Sequence, residues 1–113
     1  MQLLVETDKY ITLTDELRAR LERKVQSAAG QYQDRITRIQ IFLSDVNKEK
    51  GGLDDKRCVI EARPAGLDPI AVNHHAPTVE LAIDGATARL GNLLDSRFGR
   101  LSSDRGATPT IDE

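Results

Sequence analysis

Ile36-Thr37-Arg38-Ile39-Gln40-Ile41-Phe42-Leu43-Ser44-Asp45 is the stretch on which the fold turns. Ile39, Ile41 and Leu43 fall on one side of a period-two pattern, and Arg38, Gln40, Phe42 and Ser44 fall on the other. Alternation of this kind predicts a strand with one buried and one open face. A polar segment, residues 47–55, follows; it contains Gly51-Gly52 and reads as a hairpin loop. Alternation then resumes, with Cys58, Ile60 and Ala62 against Val59, Glu61 and Arg63. Pro64-Ala65-Gly66 signals a turn, and residues 69–75 make another strand with Ile70 and Val72 inward. Pro69 fits the first residue of that strand or a sheet edge. Together these strands form a meander.

Working outward, residues 2–7 read as a further strand, with Leu3 and Val5 on one face and Leu4 and Glu6 on the other. Thr14 is placed to cap a helix, and Asp15 and Glu16 sit where acidic groups favour the positive end of the helix dipole. Leu17, Leu21, Val25 and Ala28 then form an apolar helical stripe, and Gly30 is the expected stop. Pro77-Thr78 opens the last helix, with Pro77 expected in its first turn. Val79, Ile83, Ala86, Leu90, Leu93 and Leu94 form its stripe, extended to Leu101. The order is β-α-β-β-β-α. The expected fold is of the α+β type: a two-layer sandwich with a four-stranded sheet and two helices on one face. One domain spans residues 1–101, and residues 102–113 read as a polar, acidic, disordered tail.

Composition sets the outer limits. The chain has 113 residues, enough for one domain and not for two. Lys and Arg number 16 against 18 Asp and Glu, a net charge of -2, so a surface uniformly basic for nucleic acid is excluded. Hydrophobic residues at 39% and charged residues at 30% fit a soluble globular chain rather than a disordered one. The apolar run at the N-terminus, Leu3-Leu4-Val5, is too short for a signal peptide, and no stretch approaches a membrane span. The expected location is the cytoplasm, with no membrane partner.

Residues able to carry catalysis or bind metal are few. His74 and His75 are adjacent on a strand and point to opposite faces, which prevents both rings from holding one metal. Cys58 is the single cysteine and reads as a small core residue. Gly51-Gly52 lacks the downstream Gly-Lys-Ser/Thr and the helix of a phosphate loop. Asp45, Glu49, Asp54 and Asp55 interleave with Lys48, Lys50, Lys56 and Arg57, the pattern of a solvated, self-neutralised loop. No nucleophile, base and orienting group come together, so no enzyme, no catalytic residue, no cofactor and no metal are expected.

Basic residues on the helices carry more information. Arg20, Arg23 and Lys24 lie on the side of the first helix away from Leu17, Leu21 and Val25. In the last helix, Arg89 and Arg100 are about three turns apart and share a flank with Ser96, with Arg97 near the same end. A charged outer face is often only solvated. The sharper reading is a basic strip across two parallel helices that tracks RNA phosphates. A β-β-β-α layout with basic helices resembles double-stranded-RNA-binding folds.

Three pieces of sequence carry a closer resemblance. Met1-Gln2-Leu3, then Ile11-Thr12 and Leu17-Arg18, is the first; Tyr32-Gln33-Asp34-Arg35-Ile36 is the second; Ala82-Ile83-Asp84-Gly85-Ala86, then Arg89-Leu90, is the third. In this order, and over nearly the whole chain, they resemble the ribosome hibernation promoting factor and ribosome-associated inhibitor family, also called sigma-54 modulation proteins. The resemblance implies a non-enzymatic protein that binds the small ribosomal subunit where messenger and transfer RNA would sit, silencing ribosomes under stress. It implies ribosomal RNA as partner, not DNA. Arg18, Lys24, Arg89, Arg97 and Arg100 match basic positions of the family, whereas Arg20 and Arg23 come from the charge pattern alone.

This sequence departs from the family in one respect. Residues 90–101 hold less Lys than the last helix of short members, and Asp95 and Asp112-Glu113 shift the charge the other way. The chain matches one short-form domain, without the extension that long members use to pair ribosomes. An alternative function follows from the weak basic character: a protein-interaction module, with a homodimer formed through the open sheet face at Phe42 and Val59.

Overall fold

A computed structural model describes residues 1–45 and 56–104, with residues 100–104 described by their helical backbone alone. The elements are β1 (Gln2–Thr7), α1 (Asp15–Ala29), a short 3-10 helix η1 (Gly30–Arg35), β2 (Ile36–Asp45), β3 (Lys56–Pro64), β4 (Ile70–Ala76) and α2 (Val79–Asp104). The expected order is therefore observed. The expected hairpin loop at residues 47–55 lies outside the described residues. So does residue span 105–113 of the expected tail, whereas α2 carries the chain on to Asp104, past Leu101.

The sheet runs β1-β2-β3-β4. β1 pairs parallel to β2, with Leu3 beside Ile39 and Val5 beside Ile41, while β2, β3 and β4 pair antiparallel. A parallel pair needs a crossover, and α1 with η1 supplies it. The inward faces of β2, β3 and β4 contribute Ile39, Ile41, Leu43, Cys58, Ile60, Ala62, Ile70 and Val72 to a single core. The helices add Leu21 and Val25 from α1, and Ile83, Ala86, Leu90, Leu94 and Phe98 from α2. Both helices thus cover one face and leave the other face of the sheet open. Leu93 departs from the expected stripe: it is 43% exposed, because the buried arc of α2 runs through Leu90, Leu94 and Phe98 instead.

Local chemistry explains the boundaries. The Thr14 hydroxyl accepts from the Leu17 amide at 3.0 Å and caps α1. Thr78 does the same for α2, accepting from the Leu81 amide at 3.1 Å. Pro77 therefore precedes the cap rather than entering the first turn. Asp8 ties β1 to β2 at their far ends. Its Oδ1 accepts from the amides of Tyr10 and Ile11, and its Oδ2 accepts from the Asp45 amide at 2.9 Å. Gly66, at φ 75°, turns the chain between β3 and β4 in a conformation that side chains with a Cβ rarely adopt.

Candidate nucleic-acid interface

The two helices run parallel, and their seam can be followed residue by residue. Arg20 of α1 pairs with Glu80 of α2, and Lys24 with Asp84 one turn further on. A Cβ built on Gly91 would lie 3.6 Å from the Ala28 Cβ, so the backbones are close at that level. Beyond α1, η1 docks on the end of α2. The Tyr32 ring stacks on Phe98 with centroids 4.8 Å apart, and the Arg35 guanidinium lies over the same ring at 4.3 Å. Asp95 accepts from the Tyr32 hydroxyl and from the Gln31 side-chain amide.

This geometry divides the expected basic residues into two sets. Arg20 also meets Glu16 at 3.4 Å, and Arg18 meets Glu22 at 3.5 Å. Arg18, Arg20 and Lys24 thus already face carboxylates. Arg20 and Lys24 lie in the seam rather than on an outer strip, because α2 brings acidic residues to the flank that α1 alone leaves open. Arg23 and Arg89 are exposed and Arg97 is half-buried; among the described residues none of them has an ion pair or a hydrogen bond. Arg100 is carried on α2, and its side chain lies outside the described residues.

Other basic residues escaped the helix-based reading. Arg38, Arg57 and Arg63 belong to the open face of the sheet by the alternation of β2 and β3. The Nε atoms of Arg38 and Arg57 are buried with no hydrogen-bond partner among the described residues. The period-two pattern already puts these residues on that face, so the signal was present in the sequence. Lys56 meets Asp45 at 3.4 Å, whereas Lys48, Glu49, Lys50, Asp54 and Asp55 of the expected self-neutralised loop lie outside the described residues.

The residues considered for catalysis are arranged as expected. Cys58 is fully buried, and desolvation pushes its thiol up to about 12, far from a reactive thiolate. His74 is half-buried on the helix side of β4, and His75 is exposed on the opposite side. Among the described residues no group of His, Cys, Asp or Glu is arranged to hold a metal ion. No helix of the described residues is long and apolar enough to cross a membrane.

Fold and site together define a two-layer α+β domain with a charged pair of parallel helices on one side of a four-stranded sheet. Residues 5–102 match the family model described as sigma 54 modulation protein / S30EA ribosomal protein, and the chain belongs to that family. Solved structures agree in fold. The N-terminal domain of Protein Y from Thermus thermophilus superposes with a TM-score of 0.69 at 23% identity, covering 85% of this chain and 98% of that one. A ribosomal subunit interface protein from Coxiella burnetii gives 0.72 at 18% identity, covering 88% and 99%. No curated protein matches the chain.

Proposed function

We propose that this chain is a ribosome-associated, non-enzymatic translation inhibitor of the cytoplasm. It binds ribosomal RNA of the small subunit and occludes the channel for messenger and transfer RNA. The observation that carries the reading is the family match over residues 5–102. Likeness to a structure named as a ribosomal subunit interface protein supports it.

The contacts begin with Arg23, Arg89 and Arg97, which no carboxylate among the described residues occupies, together with Arg100. Arg18, Arg20 and Lys24 can join only by exchanging a carboxylate for a phosphate. Each is a partly exposed surface pair, and such pairs contribute roughly 0–1 kcal/mol, so the exchange is thermally accessible. Binding is by phosphate neutralisation and depends on salt. Co-sedimentation of the full chain with purified small subunits at about 50–100 mM salt, the low range where phosphate binders hold on, tests the reading. Failure to associate there overturns it.

The second reading is a protein-interaction module that keeps the fold with weak RNA binding. The exposed Phe42, at 38%, beside Val59 on the open face favours it. A tight homodimer in light scattering, without ribosome association, would select this reading.

A further inference from the structure

β4 is an edge of the sheet, so half of its backbone N–H and C=O groups face away from β3. Edge strands are normally blunted by charge or proline. Ile70–Ala76 contains no Lys, Arg, Asp, Glu or Pro. Beside this edge, between β4 and α2, lies a groove of about 360 Å3 lined by Ala71, Val72, Asn73, Arg89, Asn92 and Leu93. Leu93 is 43% exposed, although the residues at neighbouring turns, Leu90 and Leu94, are fully buried. Arg89 is exposed and has no carboxylate partner among the described residues.

Spacing suggests what would fit. Arg89 and Leu93 are one helical turn apart, about 6 Å along the axis. Residues i and i+2 of an added strand point to the same side and are about 6.7 Å apart. A strand laid on β4 therefore presents one side chain over Leu93 and the next on that side over Arg89. A second copy of β4 suits the site poorly. Antiparallel pairing about Asn73 would bring the α2 flanks of both copies together and set Arg89 near its own symmetry mate.

We propose that the β4 edge and its groove dock an extended segment of a partner protein by strand addition. The segment presents an aliphatic residue to Val72 and Leu93 and, two positions away, a carboxylate to Arg89. Main-chain pairing with β4 holds the segment, and the two side chains select it. This goes beyond ribosome association and does not require it, but because Arg89 serves both, the segment and ribosomal phosphate would compete for that side chain.

The test uses the full chain, isotopically labelled, and two capped peptides of alternating Thr. One carries Ile and Glu two positions apart; the other carries Gln in place of Glu. Expected are amide shifts concentrated in Ile70–Ala76, with the Glu peptide binding about tenfold more tightly, as for a charged hydrogen bond. Arg89→Gln should abolish the difference between the peptides while leaving the fold unchanged by circular dichroism. Leu93→Asp should weaken both. Equal binding of the two peptides, shifts centred on Phe42 and Val59, or no shifts at millimolar peptide would overturn the proposal. So would a single-stranded ribonucleotide oligomer shifting the β4 amides where the peptides do not.

Discussion

Lys24 of α1 and Asp84 of α2 are sixty positions apart in the chain and form an ion pair across the helix seam. Asp84 sits in a segment that carries the family resemblance, yet its contact neutralises Lys24, a cation expected to meet RNA. With the Arg20–Glu80 pair one turn earlier, it makes the seam a store of cations that phosphate can draw on only by displacing carboxylates.

Removing the carboxylate should release that cation. Asp84→Asn is expected to tighten binding to small subunits or structured RNA by up to about fivefold, the factor equivalent to a surface pair of about 1 kcal/mol. The same variant should lose no more than about 1 kcal/mol in urea unfolding. Equilibrium binding and a denaturation curve on one preparation check both. Weaker binding by the variant would mean that Lys24 acts through the seam rather than on RNA.

Alkaline pH should loosen the docking of η1. The hydrogen bond to Asp95, then burial, holds the Tyr32 hydroxyl above its ordinary value near 10. The folded state keeps that proton longer than the unfolded chain does. The contribution is therefore fully present below about pH 10 and is lost as pH rises through the folded value. The urea midpoint should fall above pH 10, and fall less in Asp95→Ala, which removes both the acceptor and its charge. A slope identical in both proteins would contradict the assignment.

Two glycines of α2 should respond oppositely to alanine. A Cβ at Gly85 would run into the His74 ring, so Gly85→Ala is expected to cost about 1–3 kcal/mol, as overpacking does. At Gly91 the nearest atom is the Ala28 carbonyl oxygen at 3.5 Å, an ordinary contact. Gly91→Ala should be neutral or stabilise by about 0.5–1 kcal/mol through helix propensity. Combining Gly85→Ala with His74→Ala should recover part of the loss, since the obstructing ring is then gone. Thermal melts of the single and double variants decide it.

Cys58 should be silent in the native state. Its thiol is buried and its pKa raised to about 12, so thiol reagents at about pH 8 should label it only when urea unfolds the chain. Rapid labelling of the folded protein would show that β3 opens readily.

The sequence made much of this architecture readable, and the reason is local. Ile39, Ile41 and Leu43 against Arg38, Gln40 and Phe42 announce a half-open strand, and Thr14 before Asp15-Glu16 announces a helix start; both signals are complete within a few residues. What stayed hidden depends on distant partners. Gln31-Tyr32-Gln33-Asp34-Arg35 has no periodicity, and η1 gains its place from Phe98 and Asp95 of α2. Asp95 looked like charge working against RNA; it is also the acceptor that fixes Tyr32. The exposure of Leu93 could not be separated from the burial of Leu94 by a stripe that included both. The helix cations were legible by position, but their partners Glu80 and Asp84 were not, since nothing within α1 reveals which flank α2 will cover.

The central claim is tested most directly by the affinity of the full chain for purified small subunits as salt is varied. Neutralising Arg23, Arg89, Arg97 and Arg100 alone should give a slope of log affinity against log salt of about -4, at roughly 0.9 per phosphate. Recruiting Arg18, Arg20 and Lys24 as well should steepen it to about -6. Binding with a slope between these values, flattened by about one when Arg89 is changed to Gln, is the predicted result. Absence of binding at low salt, or binding that salt leaves unchanged, would contradict it.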